Sequence, residues 1–135
     1  MRAVDVDGDG DVDAVATCGV DDTVAWWSND GAQSFTMRTI TTLADYAMAV
    51  WAADLDDDGD VDAVSADYSD GAVTYHENEG DATSWGRTQL VTDMTGAHGI
   101  HVGDLDGDGD LDVAACSALD DEVRWFENDG AARFT

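Results

Sequence analysis

The chain has no lysine and no proline, and only five arginines and two cysteines among its 135 residues. Against those five cations stand 31 acids, so the net charge is −26. Such a surface repels phosphate backbones and anionic lipid, which excludes nucleic acid as a partner. No apolar run approaches the roughly 18 residues of a membrane span, and no membrane insertion is expected. Met1-Arg2-Ala3-Val4-Asp5 lacks the apolar core of a signal peptide, and its abruptness suggests a segment of a longer protein or an engineered piece. Glutamate is scarce too, with four residues against 27 aspartates. Self-repulsion of this size is relieved by salt, which suggests a salt-adapted source. Cys18 and Cys116 fall one residue out of register when the repeats described below are aligned, so they face opposite sides of their strands. Free, buried or half-buried thiols are expected, and no Cys/His set suggests zinc.

Aspartate is concentrated rather than scattered. Asp5-Val6-Asp7-Gly8-Asp9-Gly10-Asp11-Val12-Asp13 returns as Asp54-Leu55-Asp56-Asp57-Asp58-Gly59-Asp60-Val61-Asp62, and again as Asp104-Leu105-Asp106-Gly107-Asp108-Gly109-Asp110-Leu111-Asp112. These loops hold 16 of the 31 acids. Each has Asp at positions 1, 3, 5 and 9 and Gly at position 6, and alternate carboxylates in a tight loop converge on one point. A hard cation there takes about six to eight oxygens, and the glycine supplies the positive φ that turns the chain around it. Position 7 (Asp11, Asp60, Asp110) would give its backbone carbonyl. So many carboxylates repel one another unless a cation sits among them, and the expected cation is calcium, one per repeat and three per chain. Three bound ions would bring the net charge to about −20. An EF-hand needs Glu at position 12. Ala16, Ser65 and Ala115 stand there, so the loop is of another type and joins two strands.

The repeat spans the whole chain. The first Asp recurs at 5, 54 and 104, a period of 49 and then 50 residues. Val24-Ala25-Trp26-Trp27-Ser28-Asn29-Asp30-Gly31 matches Val73-Thr74-Tyr75-His76-Glu77-Asn78-Glu79-Gly80 and Val123-Arg124-Trp125-Phe126-Glu127-Asn128-Asp129-Gly130. Units at 1–40, 41–91 and 92–135 each predict four short strands. The first enters the loop and the second leaves it. The third carries adjacent aromatics that point to opposite faces, and the fourth starts at Phe35, Trp85 or Phe134, the last cut short at Thr135. No helical period is present. Four strands per unit of about 40–50 residues is the arithmetic of a β-propeller blade, so the fold class is all-β with three four-stranded blades.

These loops, the small apolar strand after each and the aromatic-Glu-Asn-Asp-Gly ending resemble the FG-GAP/VCBS repeat family, whose repeats build integrin-α-like calcium-binding β-propellers. The resemblance implies one calcium per loop, all on one face of the ring. The implied ligands are Asp5, Asp7, Asp9, Asp11 and Asp13; Asp54, Asp56, Asp58, Asp60 and Asp62; and Asp104, Asp106, Asp108, Asp110 and Asp112. It also implies a structural or binding role in adhesion or scaffolding, outside the cell or at its surface for the parent protein. Family rings usually have six to eight blades. Three blades cannot close, and an open stack leaves an apolar face at each end. Ring closure through self-association is therefore expected, as a homo-oligomer with a six-bladed dimer favoured over a nine-bladed trimer.

Two other functions have candidate residues. A lectin-like propeller would bind carbohydrate through Trp27, Trp51, Trp85 or Tyr46, although aromatics recurring in every repeat argue for packing. A polysaccharide-degrading enzyme needs reactive groups that break the repeat symmetry, and His76, His98 and His101 are the candidates. His98 and His101, three residues apart on a strand, point to opposite faces, and no Ser-His-Asp or Cys-His order is evident. The chain is read as no enzyme.

Overall fold

A computed structural model describes all 135 residues and contains three antiparallel sheets. Sheet 1 has the order β1 (Arg2–Val4), β2 (Asp13–Cys18), β3 (Thr23–Asn29), β4 (Phe35–Thr41). Sheet 2 repeats it with β5 (Ala47–Ala53), β6 (Asp62–Asp67), β7 (Ala72–His76) and β8 (Thr88–Val91). Sheet 3 holds β9 (Ala97–Gly103), β10 (Asp112–Ser117) and β11 (Val123–Phe126). Each is a meander in which successive strands pair, as short turns between β-branched and aromatic runs dictate. The turn from second to third strand needs one residue at positive φ. Gly71 supplies it in sheet 2, while Asp22 and Asp121 do so at φ 52° in the other sheets, a conformation Asp tolerates.

The third sheet has three strands rather than the expected four. Phe134 makes only an isolated bridge to Asn128, because just two residues from Phe134 onward are left to pair. Trp85 likewise makes an isolated bridge, to Asn78, and the fourth strand of sheet 2 resumes at Thr88. The chain closes no barrel or ring by itself; the sheets lie face to face in an open stack with sheet 2 in the middle. All of β6 and β7 is buried, because both faces of sheet 2 are covered. One core lies between sheets 1 and 2, around Val15, Val24, Trp26, Val50 and Ala63. The other lies between sheets 2 and 3, around Val64, Val73, Tyr75, Val102 and Val113. Each large side chain so buried contributes about 1.5–3 kcal/mol.

The connectors between sheets are ordered, which the strand pattern did not reveal. Ala44 N–H donates to the Asp22 carbonyl (3.1 Å), and Met94 N–H repeats the bond to Gly71 (3.0 Å). Both side chains are fully buried and plug the space beneath the preceding turn. Both cysteines are free. Cys116 is half-buried, but Cys18 is exposed, contrary to expectation, because β2 ends there and the 3-10 turn Gly19–Asp21 carries it to the rim. A bulge at the start of β9 brings His98 Nδ1 within 3.6 Å of Cys116 Sγ, an approach that strict strand alternation did not foresee.

Sheet 2 also buries a polar quartet with no counterpart in the other sheets. Ser65 Oγ lies 3.0 Å from His76 Nε2, and Thr74 Oγ1 donates to Asp67 Oδ2 at 3.0 Å. His76 Nδ1 and Asp67 Oδ1 have no partner. His76 is buried with no access for a substrate, so this Ser–His contact is a packing feature. Burial holds the His76 imidazole down to about 3. Burial pushes the Asp67 carboxyl up to about 6, opposed by the Ser65 and Thr74 hydroxyls and by the Arg87 charge, and reinforced by Asp70. An acid whose folded pKa is raised holds more protons in the folded than in the unfolded state, so its contribution falls as pH rises through about 4 to 6. Asp67→Asn, which removes that ionisation, should therefore gain about 1–2 kcal/mol relative to the parent protein between pH 5 and pH 8. Urea unfolding of both proteins at the two pH values tests this, and an unchanged difference would refute it.

Candidate metal centres

The three acidic loops join β1 to β2, β5 to β6 and β9 to β10, and lie at one end of the stack. Loops 2 and 3 are close enough for Asp57 to act on the charge of Asp110. Within each loop the aspartates fold the backbone by accepting its amides. Asp5 Oδ1 and Oδ2 accept Gly8 and Gly10 N–H at 2.9 Å each, and Asp54 Oδ2 accepts Gly59 N–H at 3.0 Å. Asp9, Asp58 and Asp108 each accept the amide two residues on, at 2.9 Å. These Asx turns wind the loop tightly. Position 4 takes positive φ in all three loops, through Gly8, Gly107 and, at 60°, Asp57.

Three carboxylate triplets result. Oxygens of Asp5, Asp7 and Asp13 lie within 4.8 Å of one another, as do those of Asp54, Asp56 and Asp58, and those of Asp104, Asp106 and Asp108. Positions 1 and 3 thus converge in every loop, joined by position 9 in the first and position 5 in the other two. The remaining candidates, Asp9, Asp11, Asp60, Asp62, Asp110 and Asp112, stand outside the triplets. The donor set is entirely oxygen, which suits a hard cation. In loop 2, Asp54 Oδ1 is buried and accepts no hydrogen bond, an orphaned oxygen of the kind a cation satisfies. Burial and the charge of Asp58 push the Asp56 carboxyl above its usual range, so the cluster resists being fully ionised when nothing neutralises it.

Position 9 has a second role that spacing alone did not disclose. Asp13, Asp62 and Asp112 are buried, and each spans two elements with one carboxylate. Oδ2 accepts the amide of loop position 2, from Val6 (2.8 Å), Leu55 (3.1 Å) and Leu105 (2.9 Å). Oδ1 accepts the amide of Asn29 (2.8 Å), Asn78 (2.8 Å) and Asn128 (2.9 Å) at the end of the third strand. Those asparagines, which read in the sequence only as turn formers, return a bond. Their Nδ2 donates to the carbonyls of Val12 (3.1 Å), Val61 (3.3 Å) and Leu111 (3.0 Å). Burial pushes the Asp62 carboxyl up to about 7, although the Asn78 and Leu55 amides pull it down.

Position 7 also acquires a neighbour. A Cβ on Gly31, Gly80 or Gly130 would stand 2.5, 3.2 or 2.7 Å from a carboxylate oxygen of Asp11, Asp60 or Asp110. The glycine closing each Asn-Asp-Gly or Asn-Glu-Gly turn therefore makes room for the loop as well as adopting positive φ.

The aromatics considered for sugar stacking are dispersed. Trp85 packs against the core between sheets 1 and 2. Trp51 lies under the Arg2 guanidinium and edge-on to His101, at 4.8 Å between ring centroids. Tyr46 meets Tyr68 edge-on. Trp27 is half-exposed on the outer face of sheet 1.

The two roles of the aspartates separate by mutation in chelator. Asp62→Ala strips acceptors from two amides and should cost about 2–4 kcal/mol without any metal. Asp56→Ala, which relieves repulsion, should cost nothing or stabilise. Equal losses in chelator-treated urea unfolding would contradict this division.

The comparison with family models agrees with the geometry. A model described as FG-GAP-like repeat matches residues 5–65 and 54–115, two overlapping matches that each run from one acidic loop to the strand after the next. No curated protein matches the chain. With the matched residues covering most of the sequence, and with each match framed by the loops whose geometry is set out above, the chain belongs to the FG-GAP-like repeat family.

Proposed function

We propose that the chain is a calcium-binding β-propeller repeat module with a structural or binding role, in adhesion or scaffolding, and no catalysis of its own. The observation that carries this reading is the recurrence of one device three times in phase: a carboxylate triplet on a loop whose ninth residue ties two strands together. FG-GAP repeats are typical of extracellular proteins. No helix of the chain is long and apolar enough to cross a membrane. A site outside the cell suits weak loops, because calcium-binding modules there work at about 10⁻⁴–10⁻³ M.

In this reading calcium binding is folding energy. The bound ion relieves the repulsion within each loop, and the loop holds the first two strands of its sheet in register. The 15 acids outside the loops remain uncompensated by five arginines, and salt should further stabilise the protein by screening them.

Calorimetric titration should find three calcium ions per chain, with a rise in thermal midpoint. Asp7→Ala should leave two sites with their affinities within about threefold of the parent, because repeat units are nearly independent. Absence of binding at millimolar calcium would sink the proposal, and loss of all three sites in Asp7→Ala would sink the independence of the repeats.

A further inference from the structure

The two ends of the stack carry the unmatched halves of a junction that the chain forms twice internally. Three positions show it. The second residue of each loop is buried where another sheet follows and exposed where none does: Val6 and Leu55 are 3% exposed, Leu105 48%. Val24 and Val73 of the third strands are fully buried, while Val123 is 76% exposed. At each internal junction an aromatic of the third strand meets the aromatic that opens the fourth-strand segment of the next unit. Trp26 shares a core with Trp85, and Tyr75 lies 5.7 Å from Phe134 between ring centroids. The equivalents left over are Trp125 on the outer face of sheet 3 and Phe35 on the outer face of sheet 1, 48% and 52% exposed.

Other features follow the same rule. The outer face of sheet 3 has an apolar hollow of about 270 Å³ lined by Gly99, His101, Ala114, Cys116 and Val123. The opposite outer face, on sheet 1, presents Ala14, Ala16, Trp27, Phe35 and Met37, which register places on one side of the sheet. At the junction of sheets 2 and 3, though not at that of sheets 1 and 2, Asn128 Nδ2 crosses to the Leu55 carbonyl (2.7 Å), and Asn29 and the Leu105 carbonyl are the corresponding pair at the two ends. Arg2 stacks on Trp51, and Trp51 on His101, so the next member of that row is another Arg2. None of the side chains named on these two faces is acidic, although the chain carries −26.

We propose that the outer face of sheet 3 docks on the outer face of sheet 1 of a second copy of this chain. Trp125 then packs on Phe35 of that copy, and Asn29 of that copy reaches the Leu105 carbonyl. The contact is heterologous, so two copies satisfy all their faces only by closing, and six sheets in a ring of two chains is the expected form. This inference rests on burial and packing, and holds whichever cation occupies the loops.

The test is absolute mass in solution by light scattering, at about 50 µM chain and high salt, with calcium and again with chelator. Twice the chain mass is expected, rising in population with salt as charge repulsion is screened. Trp125→Asp and Phe35→Asp alter side chains exposed in the single chain, so both should fold, as circular dichroism would verify. Each variant alone should run at the mass of one chain. Their equimolar mixture retains one intact junction and should regain a mass of two chains. A parent protein that is monomeric in both buffers overturns the proposal. So does an oligomer whose mass neither substitution changes, since its contact would lie elsewhere. Calcium titration of the same samples reports separately on the loops.

Discussion

The carboxylate at the ninth position of each acidic loop joins three parts of its unit. It accepts one amide from the start of the loop and one from the end of the third strand, and itself begins the second strand. A buried carboxylate is costly, and two amide donors offset part of that cost. Without this brace the loop would lose its tie to the turn after the third strand, against which the carboxylates at positions 1 and 3 converge. The proposed cation site thus depends on a residue that is structural first.

A second constraint acts across units. A sheet with apolar side chains on both faces must be covered twice, and the middle sheet of this chain achieves that. The outer sheets bury alternate residues and leave an apolar face of each toward water. The electrostatics run the other way, since −26 on 135 residues resists both compaction and association. The fold concentrates acids in the loops, and the side chains named for the proposed docking carry none, so the two demands would not compete on the same surface.

Much of this was legible in the residues. The in-phase Asp-Gly loops, the alternation of small and aromatic residues and the recurrent Asn-Asp-Gly ending gave the all-β class, the unit length and the strand order, because these depend on local turn chemistry and period-two patterning. The fourth strands were read less well. The segment at Phe134 pairs at one point only, and the Trp85 segment is interrupted before Thr88, since strand length depends on partners rather than propensity. The connector residues Ala44 and Met94 gave no signal, because plugging a space between sheets has no sequence period. Cys18 was misplaced for the same reason: exposure at a strand end depends on which way the following turn leaves.

From local rules came the loops and their carboxylate chemistry, for an Asx turn and a positive φ need only neighbouring residues. Contacts between segments far apart in the chain had to await the fold. They include the bridge from Asp62 to Asn78, the crowding of Asp110 against Gly130, the buried Ser65–His76 pair and the packing of Tyr75 on Phe134. Each depends on register and on which face of a sheet meets its neighbour, and those are properties of packing that no stretch of sequence specifies alone.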